Sequence, residues 1–200
     1  VVARICKTKL MWTTPPERVA EFAAQVLKNA RSQKPKTSDY PSLIQRSFDE
    51  NTLGVLNGLK ASWASLQDKS PESELVWLAL TAILRPTSRA GTAQWQYILP
   101  NKTKKKIVQP LLAFQRQIEV LKSDIRWMQS RAQQTRAQII PGDARTLANF
   151  TTQKADAVIT SPPYANNYDY ADALRFEMTF WGDVRGWGDI HDAVRKYLIV

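Results

Sequence analysis

The sequence predicts an α/β protein in which a large, mainly helical segment interrupts the α/β part. Apolar residues recur at helical spacing through most of residues 13–136, and after residue 137 the period changes. Two short apolar runs follow, Gln138-Ile139-Ile140 and Asp156-Ala157-Val158-Ile159-Thr160, with the amphipathic stretch Ala144 to Phe150 between them. Strand, short helix, strand is the pattern of a parallel α/β unit.

Residues 1–12 read as the last turns of a helix, broken by Thr13-Thr14-Pro15-Pro16, with Pro16 suited to the first turn of the next. In that next helix Val19, Phe22, Ala23, Val26, Leu27 and Ala30 share one face. A polar linker runs from Ser32 to about Ser42. Leu53, Leu56, Leu59, Trp63 and Leu66 predict another helix, opposed by the low propensity of Gly54 and Gly58. Ser70-Pro71-Glu72 starts a third, with an N-cap, a first-turn proline and acid at the positive end of the dipole. From Leu75 to Leu84 that helix is apolar almost all round, which suits the centre of a helical layer, and Arg85-Pro86 is expected to end it. Leu111, Phe114, Ile118, Leu121, Ile125, Met128 and Ala132 alternate by three and four, predicting a long helix packed on a neighbour, as core more readily than as a dimer seam. Helical signals return at Ala171 to Trp181 and at Asp189 to Leu198.

With 200 residues, 44% of them hydrophobic, the chain has material for one or two compact domains. It carries 28 Lys plus Arg against 18 Asp plus Glu, a net charge of +10 that suits a polyanionic partner. Residues 101–136 hold nine basic side chains and two acidic ones, so most of the excess is local. Within them, Lys102 to Lys106 suits either a solvated linker or phosphate contact. One cysteine, Cys6, and one histidine, His191, exclude a disulfide framework and a Cys/His zinc cluster, so the expectation is a cytoplasmic, metal-free protein. No window approaches the roughly 20 apolar residues of a membrane span, and the N-terminus lacks a signal-peptide layout. A start at Val1-Val2-Ala3 and a finish on Tyr197-Leu198-Ile199-Val200 read as a piece of a longer protein.

The chemistry is concentrated in Ser161-Pro162-Pro163-Tyr164. In an open parallel sheet, ligands bind beyond the carboxyl ends of the strands, which is where this tetrapeptide would stand. Proline fixes φ and pushes the residue before it out of the α region, so the segment is a stiff, extended exit. The Ser161 hydroxyl oxygen and the Pro162 carbonyl can both accept from one planar amine. That favours a pyramidal nitrogen whose lone pair is free to attack a methyl group. Tyr164 offers a ring on which an extruded base can stack, an interaction of about 1 to 3 kcal/mol.

On these residues the sequence resembles the amino-group DNA methyltransferases, which use S-adenosylmethionine and carry an (Asp/Asn/Ser)-Pro-Pro-(Tyr/Phe/Trp) motif after a strand. The resemblance implies part of a Rossmann-like methyltransferase domain. Its segments would be residues 1–12 and 137–200, around a helical insertion at 13–136 that is a candidate for DNA contact. It gives Ser161 and Pro162 the target amine, Pro163 a spacer role and Tyr164 the flipped base; Ser at the first position leans toward N4 of cytosine over N6 of adenine. Gly142-Asp143-Ala144-Arg145 is similar to the family's strand-end acidic segment, so Asp143 would accept from the cofactor's adenine amine and the Ala144 N–H could donate to the ring. Asn166-Asn167-Tyr168-Asp169-Tyr170, Leu174-Arg175-Phe176-Glu177 and Phe180-Trp181-Gly182 resemble the loop and helix after the motif. The family's glycine-rich cofactor loop has no counterpart among the seven glycines; it is expected upstream, and this piece alone is expected to bind cofactor poorly. Two other readings stay open: a methyltransferase acting on RNA or on a protein glutamine amide, and a non-catalytic nucleic-acid-binding module. Trp181 and Trp187 suit either core packing or the base-binding side.

Overall fold

Helices dominate the structure, a computed structural model that describes residues 1–30, 37–93, 97–131, 137–142, 156–159 and 169–197. α1 (Val2–Lys9) and α2 (Pro16–Ala30) lie where the proline break places them, and a short α3 (Ser42–Ser47) precedes α4 (Glu50–Leu66). The Asp49 carboxylate caps α4, accepting from the Thr52 N–H and hydroxyl at 2.8 Å each. Burial of Leu53, Leu56 and Leu59 outweighs the propensity cost of Gly54 and Gly58.

α5 (Pro71–Thr87) is the centre of the helical layer, touching α1, α2, α4 and α6 (Pro110–Arg131). Ser70 caps it through the Ser73 N–H, and Val76, Trp77, Ala79, Leu80, Ile83 and Leu84 are all buried. The helix does not end at Arg85-Pro86. Pro86 sits inside its last turn, where few later N–H groups remain to be displaced, and Ser88 closes it by donating to the Leu84 and Arg85 carbonyls. On α6 the expected stripe Phe114, Ile118, Leu121 and Ile125 is buried, whereas Leu111 at its start is exposed. The stripe is core packing, against α5 and α2.

Between α5 and α6 lies an antiparallel hairpin that periodicity does not announce, β1 (Ala90–Thr92) and β2 (Ile98–Thr103). It takes in Lys102, part of the stretch that also reads as linker. A Cβ at Gly91 would stand 2.9 Å from the Lys102 Cβ and 3.1 Å from its carbonyl oxygen, so this crossing needs glycine. Backbone bonds from Arg89 to Ser47 and from Lys104 to Arg89 tie the hairpin base to α3.

The two runs expected as parallel strands are different from the expectation. Residues 137–142 and 156–159 carry no strand, and Val158 and Ile159 are 84% and 98% exposed. A strand needs a neighbour for its N–H and C=O groups, and the one sheet among the described residues is β1–β2, which pairs with neither run. The Rossmann-like sheet is therefore not formed by the described residues, whereas the helical character expected of 13–136 is observed.

α7 (Tyr170–Trp181), α8 (Trp187–Ala193) and a 3-10 turn (Arg195–Tyr197) are the last described elements and lie where helical signals return. Phe176 and Phe180 of α7 belong to the same hydrophobic core as α2, α4, α5 and α6, and Val1, Ile5 and Met11 pack against it.

Candidate functional site

Asp143, Ala144, Ser161, Pro162, Pro163 and Tyr164, with Asn166, Asn167 and Tyr168, lie outside the described residues. The structure shows what receives the chain immediately after them.

Asp169 begins that receiving segment. It is an N-cap by sequence, a short acid before an apolar helix, and the structure uses it so: Oδ1 accepts from the N–H groups of Ala171 at 2.9 Å and Asp172 at 3.2 Å. Its Oδ2 accepts from Nε and Nη2 of Arg195, beyond α8. Its own N–H donates to the Tyr97 hydroxyl at 2.7 Å, at the tip of the hairpin. Partial burial pushes the Asp169 carboxyl up, but the Arg195 guanidinium and the two helix N–H groups outweigh it and hold the group below the usual carboxylate range.

Asp172 behaves in the opposite way. Burial raises it, Asp169 adds to the rise, and Arg175 beside it at 2.8 Å opposes both. The Trp187 indole lies near both guanidinium groups, 4.2 Å from Arg175 and 4.7 Å from Arg195 between ring centroid and Cζ. Two carboxylates, two guanidinium groups and one half-exposed indole thus form a connected cluster at the start of α7. Trp187 lies near the start of α7, and its partners there are the arginines. Trp181 is not there: it packs against Trp63, Trp77 and Phe180, and its Nε1 donates to the Thr81 hydroxyl.

The rest of α7 is locked to the helical layer. Arg85 donates from Nη2 to Glu177 at 3.0 Å and to the Ala173 carbonyl at 2.6 Å, and Nε completes a bidentate pair whose carboxylate side chain is 7% exposed. Phe176 stacks on Phe48 and Phe180 on Tyr40, both with centroids 5.5 Å apart. Lys60 donates to the Phe180 carbonyl at 2.6 Å, and its ammonium lies 5.0 Å from the Tyr40 and Phe180 rings. Burial holds that ammonium below the usual lysine range, with Asp183 opposing. The Gly182 end of α7 is a left-handed cap at φ 87°, with the Gly182 and Asp183 N–H groups on the Met178 carbonyl.

The arrangement anchors the start of α7 at Asp169, with a charged, aromatic rim. Its N-cap has a local signal in Asp169 before Ala171, but Tyr97 and Arg195, 72 and 26 residues away, have none. Among the described residues no group of three or more His, Cys, Asp or Glu side chains converges, and no helix is long and apolar enough to cross a membrane. His191 is exposed beside Asp192, and Cys6 is a free, partly buried thiol. Comparison with protein-family models, with curated proteins and with solved structures finds no match to this chain.

Proposed function

We propose that the chain is the catalytic part of an S-adenosylmethionine-dependent methyltransferase acting on the exocyclic amine of a flipped DNA base, N4 of cytosine before N6 of adenine. The observation that carries the reading is Ser161-Pro162-Pro163-Tyr164, directly after the apolar run 156–160 and preceded by Gly142-Asp143. In support, the segment that leaves the motif loop is fastened at Asp169 from two sides, as a loop that must hold reacting groups in register requires.

S-adenosylmethionine, when bound, supplies an electrophilic methyl group. Asp143 and the Ala144 N–H would hold its adenine. The Ser161 oxygen and the Pro162 carbonyl accept hydrogen bonds from the two amine N–H groups, Pro163 keeps those acceptors fixed, and Tyr164 stacks on the base. As the N–C bond forms, the bond from the methyl carbon to the sulfonium sulfur would break with its electron pair going to sulfur; the nitrogen becomes cationic, and its extra proton passes to water, because serine is no strong base near neutral pH.

The test is methyl transfer by the full-length protein from labelled S-adenosylmethionine to duplex DNA, to RNA and to protein. Label in DNA as N4-methylcytosine, abolished by Ser161→Ala with Tyr164→Ala, is the expected result. Label confined to RNA or protein would overturn the DNA substrate, and no label on any substrate would favour the non-catalytic reading.

A further inference from the structure

We propose that the β1–β2 hairpin, with Arg46 and Arg89 at its base, binds the phosphate backbone of duplex DNA. The basic stretch 101–136 is continuous in sequence but divided in space. On α6 two of the four cations are ion-paired, Lys122 with Glu119 and Arg126 with Glu17, and Arg131 lies over Trp127. The hairpin cations are not neutralised. Lys102, Lys105 and Lys106 are exposed and make no ion pair among the described residues.

Two arginines from elsewhere in the sequence join them. Arg46 of α3 donates to the Asn101 side chain on β2, and Arg89 donates to the Arg46 carbonyl at 3.2 Å, so both arginines stand beside the strand that carries Lys102 and leads to Lys105 and Lys106. The carboxylate beside them, Asp49, is occupied as an N-cap by Thr52. Lys104 is turned inward, its Nζ on the Arg85 carbonyl at 2.8 Å, and does not belong to the patch.

The shape selects among polyanions. A two-stranded antiparallel ribbon fits the width of the DNA major groove. A lipid surface asks for an apolar face beside the cations, yet here Thr92, Asn101 and Thr103 are the exposed neighbours, with Ile107 the exception. The ribbon also connects the patch to the motif loop, since Tyr97 at its other end holds Asp169. From Tyr97 to Lys102 is about 17 Å of extended chain, or about five base-pair steps. The choice of DNA rests on the methyl-transfer reading; the surface itself does not.

The experiment is anisotropy of a short labelled duplex with the full chain, without cofactor, between 50 and 200 mM salt. If five phosphates are neutralised, affinity falls about 500-fold across that range; Lys102→Ala/Lys105→Ala/Lys106→Ala should leave a fall of about 12-fold. Lys122→Ala/Arg126→Ala should behave as wild type, and thermal melts confirm that both variants fold. An unchanged slope in the triple variant, an equal loss in the α6 control, or binding to phosphatidylserine vesicles as tight as to DNA overturns the proposal. Hairpin-dependent binding without methyl transfer supports this surface and overturns only the enzymatic reading.

Discussion

Asp169 is the residue at which charge, helix geometry and chain direction meet. Its carboxylate caps α7 with one oxygen and holds Arg195 with the other, so substitution removes both at once. Asp169→Ala should cost about 1 kcal/mol for the cap alone, whereas Asp169→Asn keeps a capping oxygen and loses only the charge on Arg195. The pH dependence follows from the depressed carboxyl. A group held lower in the folded state than in the unfolded chain contributes stability above its unfolded value, near 3.9, and that contribution is lost as pH falls through the lower folded value. Urea unfolding of wild type and Asp169→Asn should therefore differ by a constant amount above about pH 5 and converge in strong acid. Asp172 has the opposite sign. Its raised carboxyl penalises the ionised folded state, so its own effect on stability becomes more favourable as pH falls through the folded value, and Asp169→Asn relieves the part of that penalty that the Asp169 charge contributes.

At the scale of elements, α7 is held chiefly by one ion pair and a row of rings. Glu177 is almost fully covered, so Glu177→Ala strands the Arg85 charge in a low-dielectric setting and should cost roughly 3–5 kcal/mol in chemical denaturation. Replacing both partners, Arg85→Met with Glu177→Leu, should recover most of that loss, because the uncompensated charge is gone. The helices themselves were legible: α2, α5, α6 and α7 follow from apolar spacing and from Ser70-Pro71, whereas Asp169 was read as loop and is the N-cap of α7. The hairpin was not legible, because Ala90-Gly91-Thr92 and Ile98 to Thr103 show no strict alternation. Their pairing depends on Gly91 tolerating Lys102 and on backbone bonds to Ser47. The runs at 138–140 and 156–160 show the opposite error. Apolar character suits a strand, but only a neighbouring strand makes one.

Across the whole molecule, one core links residues from α2 to α7, centred on Val76, Leu84 and Phe114 with no measurable exposure and on Trp77 at 1%. Its helical composition was readable from periodicity. The partners that join distant segments, Arg85 with Glu177, Lys60 with Phe180 and Tyr97 with Asp169, were not, since no local rule pairs residues 72 to 120 positions apart. Ser161 to Tyr164 lie outside the described residues, and their reading rests on the sequence alone, where the conformational effect of proline is local. These long-range fastenings have a consequence for chain continuity. α7 is attached to the helical layer through Phe176, Glu177, Phe180 and Trp181, whose partners in that layer all precede residue 132, so a covalent link from residue 131 is not required to keep it in place. Two co-expressed pieces, 1–131 and 156–200, should find each other and copurify, and Glu177→Ala in the second piece should separate them. The two pieces would then behave as a split pair, in which the fastenings of Glu177, Phe180 and Trp181 take over the work of the peptide chain.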